Sequence, residues 1–173
     1  MPLLSAPAPD GASLLARERH SRHQGSGLQS HDLVGHWRVE RVWGKEGAQP
    51  SAGAGAALRA LKATLAIGPG ENQELILHNS IQLGPLCLSF HGPGELRGRR
   101  PLLRFHFREL RLSLANRPLV SLPLPEPAAG KAPFFALIAS EQGDRGRRWL
   151  AARGRGGGLA LWVRDDAGRP AMR

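Results

Sequence analysis

Apolar and polar positions alternate along this chain in short stretches from residue 32 onwards. The first stretch places one apolar set on one parity, opposite a largely polar set: Leu33, Trp37, Val39 and Trp43 against His36, Arg38, Glu40 and Val42. A period of two is typical of a strand with one buried face. We therefore predict a long half-buried strand here, ended by the turn residues Gly44, Gly47 and Pro50.

Shorter stretches of the same kind follow. A short helix is predicted over 54–62 before the chain enters a strand that ends near Gly68. Later strands are predicted over residues 73–78, 86–91, 95–97, 103–107, 110–114, 134–140, 149–153 and 158–164. Gly92-Pro93-Gly94 predicts a tight turn between two of these strands.

The clearest alternation lies in the segment LLRFHFRELRLSL. Leu103, Phe105 and Phe107 share one face, whereas the apolar residues from Leu110 to Leu114 have the opposite parity. Because a strand cannot change face without a break in register, we expect a bulge or a turn near Glu109.

This pattern of short alternating strands predicts a mainly β protein with one or two short helices. Such spacing favours an antiparallel sheet that either folds into a sandwich or closes into a barrel. We favour closure, because a barrel removes exposed edges, and an eight-stranded barrel has an interior just able to hold one small ligand. We predict that residues 1–31 form a disordered lead with at most a helical turn over 13–19, that 32–164 form the barrel domain and that 165–173 form a loose tail.

Composition and charge limit the kinds of function that the protein can have. The 173 residues include 24 Lys and Arg against 14 Asp and Glu, a formal charge of +10. A chain of this charge is attracted to anionic lipid surfaces and to nucleic acids. The lone cysteine, Cys87, excludes an internal disulfide. The apolar runs are too short to cross a bilayer, and the first residues do not resemble a secretory signal.

Catalytic and metal-binding signatures are not found in the sequence. It has no Gly-x-Ser-x-Gly elbow, no phosphate-binding loop and no dinucleotide motif, and Cys87 has no evident base. His20, His23 and His31 fall in the predicted lead, where a fixed metal geometry is not expected. The histidines at 78, 91 and 106 have polar parity and are expected to face water. We therefore expect no enzyme, no cofactor and no metal site.

Three segments resemble one protein family. The Gly-x-Trp strand LVGHW, the strand over 75–81 with Asn79, and RGRGGGLALW from Arg153 to Trp162 are similar to strands of plastid lipid-associated proteins, the PAP/fibrillin family. The order of elements agrees with that family over residues 32–164. The resemblance implies a lipocalin-like barrel that carries or shields a lipid, quinone or carotenoid at thylakoids or lipid globules (plastoglobules). The source it implies is a cyanobacterium, with a thylakoid-associated or cytoplasmic protein, or alternatively a plastid.

Candidate ligand contacts follow from the barrel hypothesis. In such a barrel Trp37 would sit at the closed end with the guanidinium of Arg153 across its ring, and Arg164 would point away from the interior. The remaining candidates are apolar positions that would line a concave wall: Val39, Leu86, Leu88, Phe90, Leu103, Phe105 and Phe107.

The leading hypothesis is thus a noncatalytic protein that binds an apolar small molecule and docks peripherally on an anionic membrane. The alternative is a basic protein that binds RNA or associates with ribosomes, since arginine-glycine segments can follow a phosphate backbone. Nucleic acid is the less favoured partner, because Phe105 and Phe107 point away from the neighbouring arginines. An enzyme acting inside the barrel ranks third.

Overall fold

The computed structural model describes residues 8–45, 53, 63–143 and 146–165. The elements with described bounds are two helices and ten strands. They are α1 (Gly11–Gln24), α2 (Ser30–Leu33), β1 (Gly35–Trp43), β2 (Thr64–Pro69), β3 (Leu75–Leu83), β4 (Leu86–Arg97), β5 (Leu102–Phe105), β6 (Glu109–Leu114), β7 (Arg117–Pro123), β8 (Phe134–Gln142), β9 (Arg148–Gly154) and β10 (Leu159–Arg164). The helix predicted over 54–62 and most of the predicted loose tail lie outside the described residues.

All ten strands belong to one antiparallel sheet. Their order is β3-β2-β1-β10-β9-β8-β5-β4-β6-β7, and β3 also pairs with β4. That extra pairing joins eight of the strands into a closed ring and leaves β6 and β7 outside it. The prediction of a mainly β, antiparallel protein whose sheet closes on itself is confirmed to this extent.

The two strands outside the ring form part of a four-stranded extension of the sheet that we call the wing. It consists of β6, β7, residues 79–83 of β3 and residues 86–90 of β4, which pair side by side. The first half of β4 pairs with β6 and its second half with β5, so the chain leaves the ring between β5 and β6. This exit at residues 106–108 is the break in register predicted near Glu109.

The predicted tight turn at Gly92-Pro93-Gly94 is wrong, because β4 runs through these residues without interruption. Its glycines instead allow a close approach of the crossing chain. The amides of His106 and Arg108 donate to the carbonyl oxygens of Pro93 and His91 at 3.2 and 2.9 Å. A Cβ on Gly92 would lie 2.0 Å from the carbonyl oxygen of His106, closer than atoms pack.

Replacing Gly92 by alanine is expected to lower the free energy of unfolding by about 2 kcal/mol, because the added methyl must displace backbone at the exit from the ring. Gly68→Ala is the matched control, since a Cβ on this strand glycine would meet no atom within 4 Å. Urea unfolding followed by tryptophan fluorescence measures both. Equal stability of the two variants would contradict this role for Gly92.

One hydrophobic core fills the inside of the ring. It contains Trp37, Leu77, Leu103, Leu137 and Trp162 among its buried members, and the first two are fully buried. We call the sheet face that bears these residues the inner face.

A second core lies on the outer face of β8, β9 and β10. Ile138, Trp149, Leu161 and Trp43 pack there against Leu14 of α1. Trp43 belongs to this core because a bulge between Val39 and Arg41 reverses the parity of β1. The prediction that Trp43 shares a face with Trp37 is therefore wrong.

Helix α1 lies within the segment predicted to be a disordered lead, and it extends well beyond the helical turn predicted there over 13–19. The helix begins at the N-cap Asp10, whose side chain accepts from the amide of Ser13 at 2.8 Å. It ends at Gly25, where φ is +85° and where a Cβ would lie 2.4 Å from the carbonyl oxygen of Arg99. Leu14 is fully buried beneath it. Neither helix is long or apolar enough to cross a membrane.

Candidate functional site

A pocket of about 190 Å³ opens on the inner face where the ring meets the wing. We call it the mouth pocket. It is lined by Val39, Ala63, Thr64, Leu65, Asn79, Ile81, Phe105, Phe107, Phe135 and Trp162. Strands on both sides of the ring contribute to it, so its shape depends on closure of the sheet.

Five aromatic rings follow one another along this pocket. From the wing inwards they are Phe90, Phe107, Phe105, Phe135 and Trp162. Successive ring centroids are separated by 5.5, 5.4, 5.1 and 5.3 Å, within the range of favourable aromatic contacts. The series gives the pocket a rigid wall suited to planar or polyene groups.

Few polar residues line the pocket, and they belong to the neighbouring strands β2 and β3. Asn79 is half-buried between its cross-strand neighbours Leu65 and Phe90. Its carboxamide can both donate and accept a hydrogen bond. The Thr64 hydroxyl is bonded to that of Ser80 at 2.7 Å on the opposite face of the sheet, so the polar side chain that faces the mouth pocket is that of Asn79. An apolar wall with a small number of polar groups is the usual composition of a small-molecule site.

The inner face continues from the mouth pocket onto the wing as a leucine-rich surface, which we call the leucine face. Three cross-strand rows make it up. They are Leu83–Leu86–Leu114–Arg117, Ile81–Leu88–Leu112–Val120 and Asn79–Phe90–Leu110–Leu122. The large apolar side chains of the wing that are most accessible to solvent are Leu83, Leu114, Leu119, Val120 and Leu122, with exposed fractions of 42 to 65%.

The nine predicted ligand residues fall into five groups. Trp37 and Leu103 lie deep in the ring core, and Val39, Phe105 and Phe107 line the mouth pocket. Phe90 contacts Phe107 beside the pocket. Leu86 and Leu88 lie on the leucine face, and Arg153 lies on the outer side of the ring.

The predicted contact of Arg153 with Trp37 is wrong, and Arg164 takes that place. The guanidinium carbon of Arg164 lies 5.9 Å from the centroid of the Trp37 ring. Trp37 and Arg164 are direct cross-strand partners, so their side chains share the inner face. The Trp37 indole nitrogen donates to the carbonyl oxygen of Leu33 at 2.7 Å. A Cβ on Gly35 would lie 2.9 Å from the Arg164 guanidinium, which explains the glycine before Trp37.

Arg153 instead binds the buried carboxylate of Glu18 on α1. Its Nε and Nη2 atoms donate to the two carboxylate oxygens at 2.7 and 2.6 Å. Arg22 and Arg100 donate to the same carboxylate at 2.9 and 3.4 Å. Burial raises the pKa of Glu18, but the hydrogen bonds from Arg153 and Arg22 outweigh it and hold the pKa below its ordinary value.

Seven residues that line the mouth pocket were not predicted as ligand contacts: Ala63, Thr64, Leu65, Asn79, Ile81, Phe135 and Trp162. A signal for Trp162 exists in β10, where it alternates with Leu159, Leu161 and Val163. Those three residues face α1, so Trp162 faces inwards. Uninterrupted apolar runs such as LALWV indicate a strand buried on both faces, and the sequence analysis took such a strand to be buried on one face.

Across residues 8–45, 63–143 and 146–165, no group of three histidine, cysteine or carboxylate side chains is placed to hold a metal ion. Compared with models of known protein families, and with the sequences of curated proteins, the chain gives no significant match.

Proposed function

We propose that this protein binds and shields an apolar small molecule in the mouth pocket, without catalysis, and that its ring is a lipocalin-like barrel. The ligand class is a lipid, quinone or carotenoid with one polar end. Following the resemblance to PAP/fibrillin proteins, the proposed setting is a photosynthetic membrane.

The aromatic series beside the mouth pocket is the observation that carries this proposal. Five rings in contact, tilted by 30 to 70° to one another, offer an apolar ligand a continuous series of face and edge contacts, and the Asn79 carboxamide offers a quinone or keto oxygen a hydrogen bond. A pocket of about 190 Å³ encloses part of such a ligand. The rest of the ligand would lie along the leucine face, which begins at Ile81.

The leucine face also supports peripheral docking on an anionic membrane. Its exposed leucines would enter the interfacial region of the bilayer, and Arg117, paired with Leu114 in the outermost row, would meet anionic headgroups. The edge strand β7 carries Pro118 and Pro123, which disfavour pairing with a strand of another chain. A lipid surface is therefore the occupant we propose for this face.

Filling the mouth pocket is expected to weaken ligand binding strongly. Ile81→Trp adds an indole within the pocket, and Gln82→Trp adds the same group on the opposite face as a matched control. Equilibrium dialysis against a decyl-substituted benzoquinone should show binding by the unmodified protein and the control. Binding by Ile81→Trp should be at least about tenfold weaker, the cost of about 1.4 kcal/mol in lost contacts.

Extraction of protein purified from its native cells, followed by mass spectrometry, tests the ligand class directly. Recovery of no lipid, quinone or carotenoid above a blank, together with no quinone uptake, would overturn the proposal. Titration with single-stranded RNA at several salt concentrations tests the alternative, because an RNA-binding protein shows a steep negative salt slope.

A further inference from the structure

A second and larger pocket, of about 390 Å³, lies against the outer face of the sheet. We call it the outer pocket. It is lined by His36, Trp37, Thr64, Ala66, Ile67, Gly68, Pro69, Ile76, His78, Ser80, Ser89, His91, Arg111 and Asp165. Its volume lies in the range of about 300 to 1,000 Å³ that is usual for small-molecule pockets.

Strand register explains why polar groups converge in this pocket. One row across β1, β2, β3, β4 and β6 reads His36–Ala66–His78–His91–Glu109. The next row, from β2 to β6, reads Thr64–Ser80–Ser89–Arg111. His78 and His91 are thus direct cross-strand neighbours, and His36 is separated from His78 by Ala66. Arg111 lies in the next row, on the strand that pairs with that of His91. Ala66, Pro69 and Ile76 supply an apolar wall beside them.

Arg111 is balanced by Asp165 among the lining residues, so the net positive charge of the pocket comes from protonation of its histidines. Burial lowers the pKa of His78, and the positive charges of His91, Arg111 and His36 lower it further. The facing carboxylates are Asp165, after β10, and Glu109 on β6; β2 contributes Ala66 and Thr64, which carry no charge.

Glu109 is already engaged by several partners. It receives the Arg111 amino group at 3.0 Å, it lies 3.2 Å from the His91 Nδ1 atom, and it contacts the Ser121 hydroxyl. A guanidinium has five N–H donors, more than this shared carboxylate can accept. Arg111 therefore retains donors for a ligand in the pocket.

We propose that the outer pocket binds a small amphiphile with a single anionic group, such as a carboxylate, sulfonate or phosphate, and that its affinity rises as the pH falls below neutrality. The apolar tail would lie against Ala66, Pro69 and Ile76, and the anion would lie among His78, His91 and Arg111. A bound anion favours the protonated form of His78, so binding takes up a proton. By linkage the affinity increases as the pH falls through the pKa of His78 in the unliganded protein.

The test uses decanesulfonate, whose charge is constant over the pH range, with decanol as the uncharged counterpart, both below their micellar concentrations. Isothermal titration calorimetry at pH values of about 5.5 and 7.5 brackets the titration of histidine. Decanesulfonate should bind more tightly at the lower pH, up to about tenfold for each histidine whose pKa it raises by one unit. Decanol should bind weakly and without pH dependence. Parallel titrations with decanoate and decyl phosphate then rank the anionic groups.

Single-residue variants distinguish sulfonate binding in the outer pocket from binding in the mouth pocket. His78→Gln should reduce the pH dependence, Arg111→Gln should weaken sulfonate binding at both pH values, and Ile76→Trp should block it. His23→Gln, an exposed position on α1, and Ile81→Trp in the mouth pocket should change nothing. Equal affinity for sulfonate and alcohol, an absence of pH dependence, or unchanged sulfonate binding by Ile76→Trp would each overturn the proposal.

Discussion

Replacing Glu18 by glutamine is expected to lower the free energy of unfolding by about 3 kcal/mol, because it leaves Arg153 without its carboxylate in a site that is largely shielded from water. The Glu18 and Arg153 side chains are 4% and 14% exposed. Arg22 and Arg100 also point at the same carboxylate, so its loss leaves three guanidinium groups close together. Urea unfolding followed by tryptophan fluorescence measures the change.

Glu141→Gln is the matched control for this prediction. Glu141 also pairs with an arginine of α1 through its contact with Arg17, but these two side chains are 48% and 41% exposed. Exposed pairs contribute less than about 1 kcal/mol, so this variant should be close to the unmodified protein. Similar losses in both variants would show that the burial of Glu18 does not set its contribution.

The Glu18 contribution should also depend on pH. Its pKa in the folded protein is lower than its ordinary value of about 4.5, which applies to the unfolded chain. The ionised carboxylate therefore stabilises the fold fully above the unfolded value, and this stabilisation is lost as the pH falls through the folded value. The stability difference between the unmodified protein and Glu18→Gln should accordingly shrink on acidification.

The strands of the ring could be predicted from the sequence because apolar and polar residues alternate along them. Alternation in LLRFHFRELRLSL located the inward positions Leu103 and Phe105 and the break before β6. Such alternation follows from the two-residue period of a strand, so it survives without any tertiary information. Closure of the sheet follows less directly, since it depends on which strands pair.

The full extent of helix α1 could not be predicted in the same way, because its sequence has no apolar face. Leu14 is the fully buried apolar side chain of the helix, and the helix is otherwise held by Glu18 against arginines far along the chain and by Arg17, which lies 5.5 Å from the Trp149 ring. These contacts depend on tertiary structure. The bulge in β1 does have a signal in the sequence, since Arg41 and Val42 interrupt the alternation of apolar and polar positions just before Trp43 turns outwards.

The errors at Arg153 and Arg164 have one cause. Alternation along β10 correctly places Arg164 on the face opposite to Leu159, Leu161 and Val163, but these three residues were predicted to face the interior. With α1 covering the outer face, both faces of β10 are buried, and hydrophobicity no longer distinguishes inside from outside. Arg164 therefore lies on the inner face beside Trp37.

Charging the leucine face is expected to abolish membrane binding. In the double variant Leu83→Glu/Leu122→Glu, two side chains that are 65% and 51% exposed become anionic. Because each is already accessible to solvent, the fold should tolerate both changes. Burial of a leucine side chain contributes about 1.5 to 3 kcal/mol, so the loss of two should weaken binding by at least about a hundredfold. Repulsion from anionic headgroups adds to this loss.

Cosedimentation with vesicles of equal parts phosphatidylglycerol and phosphatidylcholine measures the effect, with pure phosphatidylcholine vesicles as the uncharged comparison. The matched control is Gln82→Glu/Ser113→Glu, which adds the same two charges on the opposite face of the wing. Arg117→Gln should weaken binding to the anionic vesicles by about fivefold, from about 1 kcal/mol per arginine near such a surface.

Sedimentation velocity of the same variants decides between a lipid surface and a second copy of the chain as the occupant of the leucine face. If the face docks on lipid, the unmodified protein and Leu83→Glu/Leu122→Glu sediment alike, and they differ in vesicle binding. If instead the unmodified protein is a dimer that this variant separates, and both bind vesicles equally, the leucine face joins two copies and membrane docking through it is wrong. Exposed apolar patches commonly serve either purpose, and these two measurements distinguish them because each reports one occupant.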